Sequence, residues 1–286
     1  MVNNFSIIVP VHNEGSKPRN LLQSIKENVG DLSKFSPEKI LLVVSGDKND
    51  LSNVRKEYDL PLEIIQQEER RGKANAINKG LRTLETDIIV LVSGDVILGD
   101  NTLKKLLHNL KSSENGVVTG KPLPNVEDGS FIDYFTELVW NLHDKISSIE
   151  PKAGEVLAFR NVINSLPEDT AADEEFIKAL ILKKGYKSRY SKDAIVYNKG
   201  PQKLSDLFEQ RRRIYIGHLD LKSRTHYKSP SMDKISVLKA LINYMKENKI
   251  GKYFFFSIMF ESFARLDALS RYLFFGENPY IWKQVG

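Results

Sequence analysis

Short apolar, β-branched runs alternate with helical stripes from Phe5 to Lys111, and this alternation narrows the fold more than any other feature of the chain. Phe5–Val11, Ile40–Val44, Leu62–Ile65 and Ile88–Val92 are too short for buried helices and read as buried strands. Between them, Leu21, Leu22 and Ile25, then Leu51 and Val54, then Ala74, Ile77, Leu81 and Leu84 recur at helical spacing. Leu103, Leu106, Leu107 and Leu110 form the stripe after the fourth strand. Ser16 and Asp100 are candidate helix caps, and Pro18 suits a first helical turn. Parallel strands need a crossover that passes over a sheet face, so the pattern argues an α/β fold built on a parallel sheet flanked by helices.

The rhythm changes after Gly116. Gly116–Gly120 reads as one more strand, Ser130–Ile149 as a long helix, and Pro151–Arg160 as a loop with a short strand. Asp173–Lys184 is expected as a helix with Phe176, Ile177, Leu180 and Ile181 inward, Ala194–Tyr197 as a short strand, and Lys203–Leu221 as a basic helix. Lys228–Lys234, polar and holding Pro230, is the linker candidate ahead of two closing helices. With 286 residues the chain is one large domain or two small ones, and 41% hydrophobic with 28% charged residues excludes disorder for its bulk. Zero Cys excludes a disulfide framework, a Cys zinc site and a Cys nucleophile. His12, His108, His143, His218 and His226 form no pair at metal spacing, so a zinc hydrolase has no support. A net charge of +5 permits an anionic partner and selects none. The N-terminus shows no basic start and no long apolar run, so no targeting signal is expected and a cytoplasmic location is.

Two strands end alike: Val43-Val44-Ser45-Gly46-Asp47 and Leu91-Val92-Ser93-Gly94-Asp95. In an open parallel sheet ligands bind beyond the carboxyl ends of the strands, which would put Asp47 and Asp95 on the binding edge. Pro10-Val11-His12-Asn13-Glu14 brings further polar groups to the same edge. Ser, Gly and Asp also dominate ordinary turns, but three polar strand ends on one edge favour a site. Gly72-Lys73 opens a helix after Arg71, where free N–H groups favour a phosphate. It is not a Walker motif, since no Gly stands at the required spacing upstream and no Ser or Thr follows Lys73.

Together these residues resemble a family 2 glycosyltransferase with the GT-A fold: Ser6 to Glu14, then Gly-Lys-Ala-x-Ala-x-Asn-x-Gly at 72–80, then the strand ending at Asp95. Gly154-x5-Arg160 resembles the family's acceptor-side segment, Ala172-Asp173-Glu174-Glu175-Phe176 its acceptor-base segment, and Gln210-Arg211-Arg212-Arg213-Ile214 the QxxRW motif of its polymer- and lipid-associated branch. The resemblance implies a Rossmann-like, mostly parallel sheet in residues 1–225, with a nucleotide-sugar half at 1–125 and an acceptor half at 126–225, and a helical extension at 226–286. It also implies inverting transfer from a nucleotide diphosphate sugar, with a UDP-sugar expected, to a hydroxyl of a glycan or lipid-linked acceptor. Donor contacts would come from Pro10, Val11, His12, Glu14, Asp47, Gly72, Lys73, Ser93, Asp95, Gln210 and Arg213. Asp95 would hold Mg²⁺ or Mn²⁺, and Asp173 or Glu174, beside Glu175, would be the general base. The chain departs from the pattern in three places: Ser93 where the DxD motif has its first carboxylate, Asp173-Glu174 in place of Glu-Asp, and Ile214 in place of Trp. A nucleotidyltransferase and a catalytically impaired nucleotide-sugar-binding protein are the alternatives.

The basic stretch from Gln210 to Lys228 fits a solvated face, a nucleic-acid surface, or contact with nucleotide phosphates and an anionic membrane. Only Tyr215 and Tyr227 interleave with its charges, which disfavours nucleic acid. Gln210 and Arg213 share a helix face and are expected at the donor, with Arg211 and Arg212 as surface charge. Tyr253–Phe275 is rich in Phe and Leu but interrupted by Glu261, Arg265, Asp267 and Arg271, which can pair four apart. It is expected to lie on an anionic membrane surface, with Lys246, Lys249 and Lys252 before it and Tyr280 and Trp282 after it in the interfacial zone, as a peripheral attachment on the cytoplasmic face. A helix hairpin packed on the enzyme's own core is the alternative.

Overall fold

The computed structural model describes residues 4–12, 17–32, 35–46, 54–126 and 129–281. In chain order the elements are β1 (Asn4–His12), α1 (Lys17–Gly30), β2 (Ser36–Ser45), α2 (Val54–Glu57), β3 (Leu62–Gln67), α3 (Lys73–Thr83), β4 (Ile88–Val92), β5 (Ile97–Leu98) and α4 (Thr102–Asn109). There follow β6 (Asn115–Pro124), α5 (Phe131–Ser147), β7 (Val156–Arg160), α6 (Asp173–Lys183), β8 (Lys187–Asn198), α7 (Leu204–Thr225), a 3₁₀ turn (Pro230–Met232), α8 (Lys234–Glu247) and α9 (Lys252–Phe275).

The described strands make one sheet in the order β3-β2-β1-β4-β7-β6-β8-β5. It is parallel from β3 through β4 and mixed beyond, because β7 runs antiparallel to both β4 and β6 while β8 runs parallel to β6. Both sheet faces are covered, which explains why β1, β2 and β4 are apolar without alternation. On one face the stripes Leu21, Leu22 and Ile25 of α1 and Leu103, Leu106 and Leu107 of α4 close over Ile7, Val9, Val90 and Val92. On the other, Ala74 and Ile77 of α3 and Phe176 and Ile177 of α6 close over Ile8, Ile89 and Leu91.

Several sequence expectations shift. β8 spans twelve residues rather than four; its first half exposes Lys187 and Arg189, so it lacks the apolar run that marks a buried strand. The α4 cap is Asn101, in the left-handed region at φ 58°, and Asp100 sits exposed one residue earlier. Ser130 caps α5 by accepting from Asp133 N. Ser16 and Leu51 lie outside the described residues.

Helix α9 packs on α7 through charge as well as apolar contact. Arg211 forms a forked pair with Glu261 at 2.8 and 2.9 Å, with side chains only 15% and 22% exposed. Arg212 reaches Glu209 at 2.5 Å and Asp267 at 3.5 Å. Both arginines are therefore interhelix contacts and not the expected surface charge. The foreseen pairs along α9 form, Arg265 with Glu261 at 2.7 Å and Arg271 with Asp267 at 2.9 Å. Farther along α7, Arg224 forks onto Asp169 at 2.7 Å, and beyond the helix Lys228 reaches Asp233 at 3.0 Å. The basic stretch is thus largely consumed within the protein.

Candidate active site

Strand order runs outward from β1 to β2 and β3, then returns to β4 on the other side of β1. Such a reversal opens a crevice beyond the carboxyl ends of the two central strands. Pro10, Val11 and His12 end β1 there, and Ser93-Gly94-Asp95 follow β4. A Cβ on Gly94 would stand 2.7 Å from the Pro10 carbonyl oxygen, so glycine is what lets the two strand ends meet. His12 Nδ1 lies 3.0 Å from the Ser45 carbonyl oxygen, which only accepts, so Nδ1 carries the proton. Burial and the nearby Arg70 charge push the His12 pKa below the usual range against the pull of the Ser45 hydrogen bond.

Helix α3 enters the same crevice at Gly72, its N-cap, held at φ +85°. Its conspicuous motif is mostly structural. Asn75 accepts from Gln67 at 2.8 Å, and a Cβ on Gly80 would stand 2.5 Å from Ile8, so the helix lies close on β1. Buried Asn78 clamps the loop ahead of α6, donating to Leu166 O at 2.8 Å and accepting from Leu166 N at 2.7 Å. That loop delivers Asp173, Glu174 and Glu175 as the first turn of α6. A Cβ on Gly217 would come within 3.0 Å of the Ala171 backbone, so α7 is locked against the same segment one turn after Arg213.

Lys73 crosslinks these parts. Its Nζ pairs with Glu174 and donates to Ser93 Oγ at 3.1 Å. Burial alone would lower its pKa, but the charges of Glu174, Asp173 and Glu155 more than offset that and raise it. Asp173 is 1% exposed, and among the described residues neither carboxylate oxygen accepts a hydrogen bond from another residue. Burial first, then the Glu174 charge, pushes its pKa up to about 7 against the pull of Lys73 and Arg213. Burial lowers Arg213 to about 10 despite the opposing charges of Asp173, Glu174, Glu155 and Asp95. One arginine thus stands within electrostatic reach of four carboxylates, on the turn after β4, on α6 and on the approach to β7.

The structure brings Pro10, Val11, His12, Gly72, Lys73, Ser93, Asp95, Asp173, Glu174 and Arg213 together at this crevice. Glu14 and Asp47 lie outside the described residues. Gln210 is half-buried one turn before Arg213 and makes no hydrogen bond among the described residues. Three other expectations are corrected. Glu175 turns away from its neighbours to accept from Ala153 N at 2.9 Å, which fixes the loop before β7. Arg160 pairs with Ile88 at the opposite end of the sheet and donates to the carbonyls of Asn115, Leu110 and Ser112 at 2.9, 3.0 and 3.1 Å, so it is a structural clasp. Tyr280 lies over Gly72, with its carbonyl 3.1 Å from where a Cβ there would be, so it packs against the crevice and not in a membrane interface; Trp282 lies outside the described residues. Sequence reasoning missed Glu155, which burial and Asp95 push above the usual carboxylate range. Among the described residues no group of three or more His, Asp or Glu is placed to hold a metal unaided.

The family model for Glycosyl transferase family 2 matches residues 6–158. The chain is 24% identical over 214 residues to the O-antigen chain rhamnosyltransferase of Salmonella typhimurium, covering 67% of this chain and 65% of that protein. Against a poly-β-1,6-N-acetyl-D-glucosamine synthase of Staphylococcus epidermidis it is 24% identical over 127 residues, covering 42% and 29%. It thus spans less than two thirds of the length of these curated relatives. A mannosyltransferase from Pyrobaculum calidifontis, solved in complex with GDP-Man and Mn²⁺, superposes with a TM-score of 0.67 at 20% identity, over 96% of this chain and 88% of that one. Glucosyl-3-phosphoglycerate synthase from Mycobacterium tuberculosis, solved with Mn²⁺, UDP and phosphoglyceric acid, gives 0.53 at 16% identity over 77% and 78%.

Proposed function

The chain belongs to glycosyl transferase family 2, with the GT-A fold, and from that premise we propose that it moves a sugar from a nucleotide diphosphate sugar to a hydroxyl of a glycan or lipid-linked acceptor, inverting the anomeric carbon. The observation behind this reading is Asp173, a buried carboxylate beside two cations in a crevice at the sheet's reversal point, whose oxygens accept no hydrogen bond from another residue among those described. Burying such a group is costly unless a ligand completes it.

In the proposed reaction Asp173 accepts the proton of the acceptor hydroxyl as that oxygen bonds to the anomeric carbon. The bond from that carbon to the diphosphate oxygen breaks with its electron pair leaving on the diphosphate. A base with a pKa near 7 is matched to this proton transfer at neutral pH. Glu174 is already engaged by Lys73, which favours Asp173 for the role. Arg213 and Lys73 supply fixed positive charge toward the leaving diphosphate in a water-poor site. Hard carboxylate oxygens at the β4 edge fit Mg²⁺ or Mn²⁺, with Asp95 as the holding residue. Such an ion would neutralise charge growing on the diphosphate. Pro10 to His12 would line the base. UDP is the expected nucleotide; of the structural neighbours one was solved with GDP-Man, a nucleotide diphosphate sugar, and one with UDP, the nucleoside diphosphate such a donor releases.

A membrane-linked acceptor has its own support. Among the described residues no helix is long and apolar enough to cross a membrane, yet α8 and α9 present an open apolar face. Phe274 and Phe275 are 80% and 78% exposed, and Phe255, Met259, Phe263 and Leu266 are more than half exposed. Phe131, Tyr253, Phe256, Met259, Phe260 and Phe263 line a groove of about 470 Å³. The inner side of α9 meets the protein, Phe260 against Phe135 at 5.2 Å and Phe208 at 5.7 Å, as the packed-hairpin alternative expects for that side; the membrane reading concerns the outer face alone. Exposed Lys234, Lys239, Lys246, Lys249 and Lys252 border the face, which suits anionic headgroups.

The test is a panel of UDP- and GDP-sugars with Mn²⁺, read by thermal shift and by release of nucleoside diphosphate. A shift of several degrees and release with one donor class supports the reading. No shift and no release across the panel refutes it.

A further inference from the structure

We propose that Glu155 supplies the second protein carboxylate toward the divalent cation, reaching it from the residue that precedes β7, opposite Ser93. This rests on the donor and cation reading above.

The geometry is cross-strand. β4 and β7 are antiparallel with Val92 opposite Val156, and Ser93 N donates to Glu155 O at 3.0 Å, which continues the register by one residue. Residues directly opposite in an antiparallel pair hold their Cβ atoms about 4.5–5.5 Å apart on the same face. Glu155 therefore projects from the position facing Ser93, two residues from Asp95, with Oε1 accepting from Asn198 at 3.3 Å. The two positions explain each other. A carboxylate at 93 would oppose Glu155 directly, and like charges directly opposite are destabilising. Ser93 instead accepts from Lys73 and leaves Glu155 the one carboxylate of that facing pair. The acidic edge as a whole is built to meet a ligand. Among the described residues, buried Asp173 accepts no hydrogen bond from another residue, and Asp173, Glu174, Glu155 and Asp95 all act on the Arg213 guanidinium, so it faces the same cluster. Two carboxylates with phosphate oxygens and waters make an ordinary set for Mg²⁺ and a workable one for Mn²⁺.

Mn²⁺ binding, read by electron paramagnetic resonance with UDP or GDP present, tests this without relying on activity. Glu155→Gln, which keeps the acceptor for Asn198, should weaken Mn²⁺ by more than the ~10-fold that even an outer-sphere partner is worth. The double variant Ser93→Asp with Glu155→Ser, which moves the carboxylate to the facing strand, should bring affinity back to within about threefold of the parent. Melting temperatures verify that each variant is folded. If Asp95→Ala loses Mn²⁺ while Glu155→Gln keeps it, the role of Glu155 is overturned and the cation reading stands. If Glu155→Gln loses Mn²⁺ and the double variant does not recover it, the exchange between strands is overturned. If the parent binds no Mn²⁺ with either nucleotide, both readings fall.

Discussion

Replacing Asp173 by Asn should stabilise the ligand-free protein while it destroys transfer. The carboxyl is 1% exposed and its pKa stands at about 7 against an unperturbed 3.8. A rise of about 3 units is worth about 4 kcal/mol at 1.36 kcal/mol per unit, all of it against the ionised folded state. The folded pKa is the higher one, so the contribution of this group to stability is intact below about pH 4 and is lost as pH climbs to about 7. Asn carries no such dependence. Its own buried amide costs something, but that cost is the same at every pH. The stability difference between variant and parent should therefore widen by about 2–3 kcal/mol between pH 5 and pH 8. For a chain of this size that corresponds to roughly 4–10 °C in Tm. Thermal unfolding of both proteins without nucleotide or metal, across that range, reads it directly. A difference that stays flat with pH would refute the claim that a buried, ligand-less carboxylate ionises here.

Three further outcomes follow from the same contacts. Asn78→Ala should cost about 2–4 kcal/mol, because both backbone groups of buried Leu166 lose their partner, and donor turnover should fall with it as α6 loosens; chemical denaturation checks the first part. Arg211→Ala should cost about 3 kcal/mol by leaving the part-buried Glu261 without its fork, whereas Arg211→Met should cost less, and neither should change the pH profile of transfer. Phe274→Ser with Phe275→Ser should abolish flotation with anionic liposomes at low salt without lowering Tm, since both rings are mostly solvent-exposed; flotation of the double variant equal to the parent would defeat the membrane reading.

Much of the fold was legible because both faces of β1, β2 and β4 are buried, which writes strands as unbroken apolar runs. β8 was largely hidden for the converse reason: half of it faces water, and Lys187-Ser188-Arg189 carries no strand signature. The candidate crevice was legible where its residues follow strands or begin helices, as with Ser93, Asp95, Gly72, Lys73 and Asp173. Glu155 was illegible because its significance comes from lying opposite Ser93, a relation set by register between strands 62 positions apart in sequence order, not by any local motif. Arg211 and Arg212 were misread for a similar reason. Their partners Glu261 and Asp267 lie on another helix, and a run of charges does not disclose whether it meets solvent or opposite charge. Arg160 shows the limit of motif matching, since its guanidinium fastens carbonyls at the sheet end opposite the crevice.

Whether Asp173 takes the acceptor proton in a sugar transfer is read from single-turnover kinetics with a bound nucleotide sugar. Asp173→Asn should lose on the order of 10²–10⁴ in the rate of transfer with donor affinity nearly unchanged, and Glu174→Gln should lose much less. Equal rates for Asp173→Asn and the parent, or a loss confined to Glu174→Gln, would contradict it.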